Sequence, residues 1–574
     1  KRILGLLVTS NQFSFVTQNY VLLTQENMWY PTSGISYSFE NQLSQPFDFT
    51  KFQLTVNKEN DLTVISQGNK SQLNDESIVF VNENPLPQIS VTIGKYIERT
   101  LEVDSVKYSL FTLADHNYFE DYLNELGDTL KPLIKELKQD YERELNINYP
   151  YNKLELVEAP IQYTSYRRFW KTGYEYVQPQ IVFLPENAVQ LSEADFKLRE
   201  RMQSRFGNRS NQVVLPIENQ SNNFKNFVNG TLLDKSSRMR FRFNDNSNEI
   251  DEKPYSVFSN FFYFTNNINS KKYSAFNIAL ENYLSIVEEN SSVGFVRNIL
   301  GATPDENASM KLASKSLTEI VSDTTFNSYL NSIVKLKSKY FFAGLANEIG
   351  DENLYNIIQN YLRENKFKAT DFEEFAKYFE KYKINIEKKV DVWTNNNKLP
   401  GFYFTKVQNY KIVDKDRERY QIKLNISNPS QTDGFIKLTF NPRRERGGRF
   451  SRLNNSDNET IFEESVKIPF GKTLAYSTVL DEEPGSLIIN TFLSQNLPLQ
   501  QEVNFNEFIE NKKANPIVEQ VILNELDNFN LPDEYIVDNE DSGFEIHNPQ
   551  QNSWLKNFLN MVYIWEIVHL TLKM

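Results

Sequence analysis

The chain has 574 residues, a formal net charge of −13, three histidines and no cysteine. That length exceeds what one hydrophobic core serves, so three or four domains are expected. The acidic balance argues against a nucleic-acid backbone as partner, and the missing cysteine excludes disulfides, iron–sulfur clusters, cysteine–zinc sites and thiol catalysis. A hydrophobic content of 40% with 14% aromatics is enough for burial, so the class is globular.

The opening Lys1-Arg2 is not followed by the apolar core and small-residue cleavage site of a secretory signal. Ile3–Val8 is too short to span a bilayer, so the start reads as that of a processed or excerpted piece. Residues 1–100 alternate in the strand period, as in Phe52–Val56 and Leu62–Ile65, with Pro85-Leu86-Pro87 and Gly94 as punctuation. From about residue 117 the period changes to that of a helix, through Tyr118, Tyr122, Leu123, Leu126, Leu130, Leu133, Ile134 and Leu137. Strands follow at Leu154–Val157 and Ile181–Leu184. Residues 195–250 are polar, reading as helix plus long loops. Residues 256–395 are dominantly helical, with Leu330, Ile333, Val334, Tyr340, Phe341, Leu345, Ile349, Leu354, Ile357, Ile358 and Tyr361 as core positions.

The helical pattern stops near Leu399-Pro400-Gly401. Residues 403–505 alternate again through Tyr420, Ile422, Leu424, Ile426, Phe435, Ile436, Leu438 and Phe440, at the turn spacing of a β-sandwich. Beyond Phe505 the chain is rich in Asn and acids. The apolar run Phe558–Leu572 spans roughly 22 Å as a helix, short of a ~30 Å bilayer core. It therefore reads as a buried or interface helix. The general excess of Asn and Lys suggests an AT-rich bacterial genome.

Four segments, in order, carry a family resemblance. They are Leu54–Val56 with Ser66-Gln67-Gly68; Pro85–Ser90 with Gly94-Lys95-Tyr96; Tyr149-Pro150-Tyr151 with Lys153–Pro160; and Tyr340 through Gly350-Asp351-Glu352, Asp371-Phe372, Trp393 and Leu399-Pro400. Together they resemble the aminopeptidase N family of gluzincins. The resemblance implies a multidomain α+β fold: an N-terminal β-domain (1–100), a degenerate thermolysin-like α/β and helical domain (101–398), a C-terminal β-sandwich (399–505) and a linker or tail (506–574). Asn27–Pro31, Ser66-Gln67-Gly68 and Val177–Glu186 are similar to a narrower group. It comprises Bacteroidota proteins with a peptidase-like extracytoplasmic region fused or coupled to an ABC transporter permease.

Family members that cleave peptides hold zinc on two histidines four apart, with a glutamate between and another downstream. Here His116, His547 and His569 share no such spacing, and none lies in 205–240, where the zinc helix belongs. The downstream ligand falls on Ile278, within Ile278–Leu284. The glutamate that clamps a substrate's free amine falls on Val177, with Gln178 beside it. An alternative match at Pro185-Glu186-Asn187 keeps the glutamate. The resemblance thus implies no catalytic residue, no metal and no cofactor.

Other features are weaker. Tyr166-Arg167-Arg168-Phe169-Trp170 mixes cations and aromatics, a composition enriched at contact surfaces. Tyr166, Arg167, Arg168, Trp170, Gln178 and Glu186 are the candidate peptide-cleft or contact residues. Glu186 and Glu281 as an acid pair, Arg443–Arg449 as an anion loop and His116 as a ligand all read more simply as surface or structural groups. Ile536–Phe544 resembles the opening of golvesin-like modules, or a calcium loop, or a capped turn.

The expected function is a non-catalytic extracytoplasmic scaffold or substrate-recognition region of a bacterial envelope complex. Its expected partners are a protein or peptide in the envelope, a membrane permease and a separate ATPase, with no nucleic acid. The alternatives are an active hydrolase without the usual zinc motif and a structural subunit of a surface motility or secretion assembly.

Overall fold

The computed structural model describes residues 15–31, 49–59, 61–114, 116, 127–145, 148–160, 162–163, 176–185, 262–284, 302–414, 417–443, 460–505, 507–510 and 521–526. Two compact units divide at Glu525 and Leu526. Every described element lies in the first unit, apart from the last residue of the final strand. Tyr118–Leu126, residues 195–250, Arg444–Arg449, Ile536–Phe544 and Phe558–Leu572 fall outside the described residues. The fold is mixed α+β, with six sheets among the described residues.

The N-terminal strands form two sheets. One has the order β1 (Phe15–Val16), β2 (Val21–Leu23), β7 (Val91–Gly94), β4 (Thr63–Ser66); the other is β3 (Gln53–Asn57), β6 (Ser77–Val81), β5 (Asn69–Gln72). A five-stranded sheet follows in the order β11 (Val177–Gln178), β12 (Ile181–Pro185), β10 (Lys153–Ala159), β9 (Val106–Leu113), β8 (Tyr96–Val103). Its first strand in sequence begins at Tyr96, so residue 100 lies within a strand. Strand β10 runs parallel to both neighbours, with Leu156 opposite Leu110 and Val182. It is buried on both faces, as central parallel strands are, although its sequence KLELVEA contains three charges. The face carrying Val157 and Ala159 packs on Leu22 and Ile65 of the four-stranded sheet. Helix α1 (Leu130–Leu145) buries Leu133 and Leu137.

The helical part comprises α2 (Phe262–Thr265), α3 (Phe276–Leu284), α4 (Pro304–Leu312), α5 (Leu317–Ser322), α6 (Leu330–Ile349), α7 (Asp351–Glu364), α8 (Phe372–Glu380) and α9 (Ile386–Asn395). A parallel pair, β13 (Asn266–Asn269) and β14 (Lys368–Asp371), joins its two ends. Capping boxes start two of these helices, Thr303 with Glu306 and Ser316 with Glu319, each satisfying two N-terminal amides. Gly350 at φ +89° breaks the chain between α6 and α7. Leu330, Ile333, Val334, Phe341, Leu345, Leu354, Ile357, Ile358 and Tyr361 form one cluster with Phe276, Phe375 and Trp393; Tyr340 and Ile349 border it.

Two further sheets share one core. The first is β22 (Ile509–Glu510), β15 (Tyr403–Asp414), β16 (Arg417–Asn428), β19 (Lys472–Leu480), β23 (Val521–Leu526); the second is β18 (Phe462–Ile468), β17 (Gly434–Pro442), β20 (Pro484–Asn490), β21 (Gln500–Asn504). Ile422, Leu424 and Ile426 of the first meet Ile436, Leu438, Phe440, Leu487 and Ile489 of the second. This is the strand-period alternation turned into an inner face.

The helices are bound to these sheets by polar groups as well as apolar ones. Ser309 Oγ donates to Ser494 O at 2.8 Å, and the Leu499 amide donates to Glu306 Oε1 at 3.3 Å. Tyr340 stacks on Phe435 with centroids 4.7 Å apart. Gly344 leaves room for that ring, since a Cβ there would sit 3.1 Å from Phe435.

Inside the helical part, Lys337 and Trp393 exchange hydrogen bonds. Trp393 Nε1 donates to Lys337 O at 2.9 Å, and Lys337 Nζ donates to Trp393 O and, at 3.3 Å, to Asn396 O. Lys337 is buried, and desolvation lowers its pKa from 10.5 to about 8. Between those values the unfolded chain holds a proton that the folded chain has released, so this group makes stability rise as pH increases from 8 to 10.5. Urea denaturation at the two ends of that window should show the rise in the wild type, and Lys337→Met should lose it. An identical pH slope in both proteins would contradict this account.

Candidate functional site

Where the N-terminal sheets meet the five-stranded sheet, polar side chains add to the apolar contact. Ser66-Gln67-Gly68 ends strand β4 and turns into β5. Gln67 Nε2 donates to Ser90 Oγ at 2.8 Å, and the Ser90 amide donates back to Gln67 Oε1 at 2.6 Å. Ser66 Oγ donates to Ser90 O at 2.7 Å. Gly68 has φ +85°, and a Cβ on it would lie 2.7 Å from the Val81 carbonyl carbon. Only glycine fits both the backbone angle and this close approach.

Val177–Leu184 supplies the other side. It forms a hairpin, with β11 antiparallel to β12 and Gln178 opposite Ile181. The turn is Pro179-Gln180, and Gln180 takes the left-handed conformation at φ +64°. That conformation costs a non-glycine residue roughly 1–2 kcal/mol. Two bonds offset it: Gly68 N donates to Gln180 Oε1 at 2.8 Å, and Glu155 N donates to Gln180 O at 2.8 Å. Gln178 is fully buried, and its Oε1 accepts from Gln88 Nε2 at 2.8 Å. Two motifs that stand 112 residues apart are thus one structural unit.

Strand β10 adds charge to the same junction. Lys153 and Glu155 are two residues apart and so share a face. Both are buried, with Lys153 Nζ 3.1 Å from Glu155 Oε1. Lys153 Nζ also donates to Ser66 O at 2.8 Å. Burial lowers the Lys153 pKa, and Glu155 opposes that shift. At the strand's end, Glu158 Oε1 lies 2.7 Å from His116 Nδ1, and Glu158 Oε2 accepts from Leu113 N at 2.8 Å. His116 is therefore held in a structural hydrogen bond.

Two cavities flank this junction. One, of about 470 Å³, runs between Asn82–Asn84 and the Lys138–Glu142 face of α1, and is floored by Tyr149–Asn152. The other, of about 340 Å³, is lined by Lys153, Glu155, Phe80 and Phe111. Both reach Gly68, Asn69 and Asn152.

The expected site residues are placed unevenly. Gln178 sits within the junction, bonded to Gln88. Tyr166, Arg167, Arg168, Trp170 and Glu186 fall outside the described residues. Val177, where the resemblance puts the amine clamp, is 5% exposed; Ile278, where it puts the downstream metal ligand, is 7% exposed within the helical core. Neither side chain carries an atom that ligates a metal. Among the described residues, no group of three His, Cys, Asp or Glu could hold a metal, and no helix is long and apolar enough to cross a membrane. Sequence reading missed the Lys153–Glu155 pair as a site. Its signal was present: two opposite charges at an i, i+2 spacing inside a strand whose remaining residues, apart from Glu158, are Leu, Val and Ala.

No protein-family model matches the chain. No curated protein matches it either. Among solved structures, the crystal structure of Legionella pneumophila aminopeptidase A in complex with aspartic acid is similar over 77% of this chain, at 11% identity and a TM-score of 0.36. The chain spans 44% of the length of that protein. At that TM-score the likeness carries no argument about chemistry.

Replacing Gly68 tests the junction. Gly68→Ala should lower stability by about 2 kcal/mol or more, because the added carbon meets backbone at a disallowed angle. Thermal denaturation reads this out, and an unchanged Tm would refute the tight fit.

Proposed function

We propose that the chain is a non-catalytic, peptidase-derived scaffold or substrate-recognition region of a bacterial envelope complex. In this reading it lies on the extracytoplasmic side, coupled to an ABC-type permease whose ATPase is another chain. The domain layout proposed with it is 1–100, 101–398, 399–505 and 506–574. Tyr166, Arg167, Arg168 and Trp170, with Glu186, form its proposed contact surface for a protein or peptide. That mixture of guanidinium and aromatic groups suits an interface, where each buries much area at little entropic cost.

The observation that supports the reading is the packing of Val177 and Ile278. At the positions that the resemblance assigns to substrate clamp and metal ligand, both side chains are aliphatic and buried. A buried aliphatic side chain stabilises by roughly 1.5–3 kcal/mol, whereas a preorganised carboxylate there would carry a desolvation cost. Selection on the fold rather than on turnover favours such residues.

Metal analysis and a peptidase assay test this together. Purified protein should carry far less than one zinc per chain, and aminoacyl-nitroanilides of Ala, Leu, Lys and Glu should be hydrolysed no faster than in a blank. Stoichiometric zinc bound between residues 205 and 285 sinks the proposal, as does chelator-sensitive hydrolysis. Hydrolysis indifferent to chelator would establish instead a carboxylate-based enzyme.

A further inference from the structure

We propose that the cavity of about 470 Å³ between Asn82–Asn84, α1 and Tyr149–Asn152 binds a neutral saccharide. This goes beyond the scaffold reading and does not rest on it. The cavity lies at the amino ends of the parallel strands β10 and β12, just before Lys153 and Ile181, and so at the opposite end from Ala159 and Pro185.

Space and rigidity come first. The volume falls within the range of about 300–1,000 Å³ found for small-molecule sites, which are usually pre-formed. The walls come from separate parts of the chain and are tied to one another. Asn82 Oδ1 accepts from Phe52 N at 2.7 Å, while Asn82 Nδ2 donates to Thr50 O at 3.0 Å and to Asn84 O at 2.8 Å, which fixes the 82–84 rim. Asn152 Nδ2 donates to Asn69 Oδ1 at 3.3 Å, and Asn69 Nδ2 donates to Glu83 Oε1 at 2.6 Å, so rim and floor are linked through β5. Tyr149 N donates to Glu142 Oε1 at 2.8 Å, which holds the floor to α1. A ligand entering such walls has little left to order.

Chemistry then selects the ligand. Among the described lining residues the carboxylates of Glu83, Asp104 and Glu142 outnumber one ammonium, Lys138, which disfavours phosphates and other anions. No group of three His, Cys, Asp or Glu among the described residues could hold a metal ion. An organic cation is not called for, because each of the three carboxylates already has a donor. Lys138 Nζ lies 3.0 Å from Glu142 Oε1, Lys135 Nζ lies 3.3 Å from Asp104 Oδ1, and Glu83 accepts from Asn69. What the walls add is amides, those of Asn69, Asn84, Asn148 and Asn152. A side-chain amide both donates and accepts, and so does a hydroxyl, so a run of hydroxyls pairs with these groups without any charge. The floor, Tyr149-Pro150-Tyr151, supplies ring surface on which the C–H face of a pyranose packs. Both phenol oxygens are engaged elsewhere: Tyr149 OH donates to Lys153 O at 2.7 Å, and Tyr151 OH donates to Phe264 O at 3.4 Å.

Saturation-transfer difference NMR on the full chain tests this with glucose, galactose, mannose, N-acetylglucosamine, cellobiose, maltose and chitobiose. At least one should bind at millimolar concentration or below. Glucuronate and glucosamine, which carry a charge, should bind no more tightly than the best neutral sugar. Asn69→Leu and Asn152→Leu, both at exposed positions, should each weaken that sugar about fivefold, the worth of roughly one hydrogen bond. If both fail to fold by circular dichroism, Asn148→Leu, also exposed, should show the same loss. No binding by any of the neutral sugars overturns the proposal, as does tighter binding of either charged sugar, or binding that every folded variant leaves unchanged.

Discussion

Three charges buried in one central strand dictate how the N-terminal half is built. Lys153, Glu155 and Glu158 are at most 9% exposed. Desolvating each costs several kcal/mol unless it is paired and hydrogen-bonded. The surrounding elements supply those partners. The end of β4 presents the Ser66 carbonyl to Lys153. The β9 exit presents the Leu113 amide and His116 to Glu158, and Tyr96 OH donates to the Glu158 carbonyl at 2.9 Å. A strand of plain Leu and Val would tolerate several registers against these sheets. A strand with three buried charges is satisfied in one, so polar groups here fix how the sheets sit on each other. Among the described residues, Glu155 Oε2 is the one carboxylate oxygen of the three charges left without a hydrogen-bond partner.

The same logic recurs at a lower charge density elsewhere. The helices and the two C-terminal sheets are joined by single well-placed groups, such as Glu306, which caps its own helix through the Thr303 amide and also accepts from Leu499. Asn496 both accepts from Phe402 N and donates to Phe402 O, at 2.8 and 2.7 Å. Such groups pin a backbone segment that has no ladder of its own, while Tyr340, Gly344 and Phe435 supply the apolar area beside it.

What was legible in the sequence follows from the range of each interaction. Periodicity is local, so the buried alternation Ile422, Leu424, Ile426 and the helical run through Leu330–Tyr361 could be read directly. The partners of Lys153 and Glu158 stand 87 and 42 residues away, and no spacing rule encodes them. Val177–Leu184 shows the limit most clearly. Its strand at Ile181–Leu184 was readable, but the turn at Gln180 was not, because glutamine has no preference for positive φ. That conformation is imposed by Gly68 and Glu155. Only the juxtaposition of Ser66-Gln67-Gly68 with Gln178-Pro179-Gln180 explains both motifs, and it is tertiary.

Two kinds of buried group differ in what their removal does. Val177 and Ile278 are aliphatic and contribute apolar burial alone. The Gln88–Gln178 and Gly68–Gln180 bonds belong to another class: removing one partner strands the other in a dry interface. Gln180 shows the second kind most fully: its side chain accepts from the Gly68 amide while its carbonyl accepts from Glu155 N, so one residue holds the turn after β4 and strand β10 together.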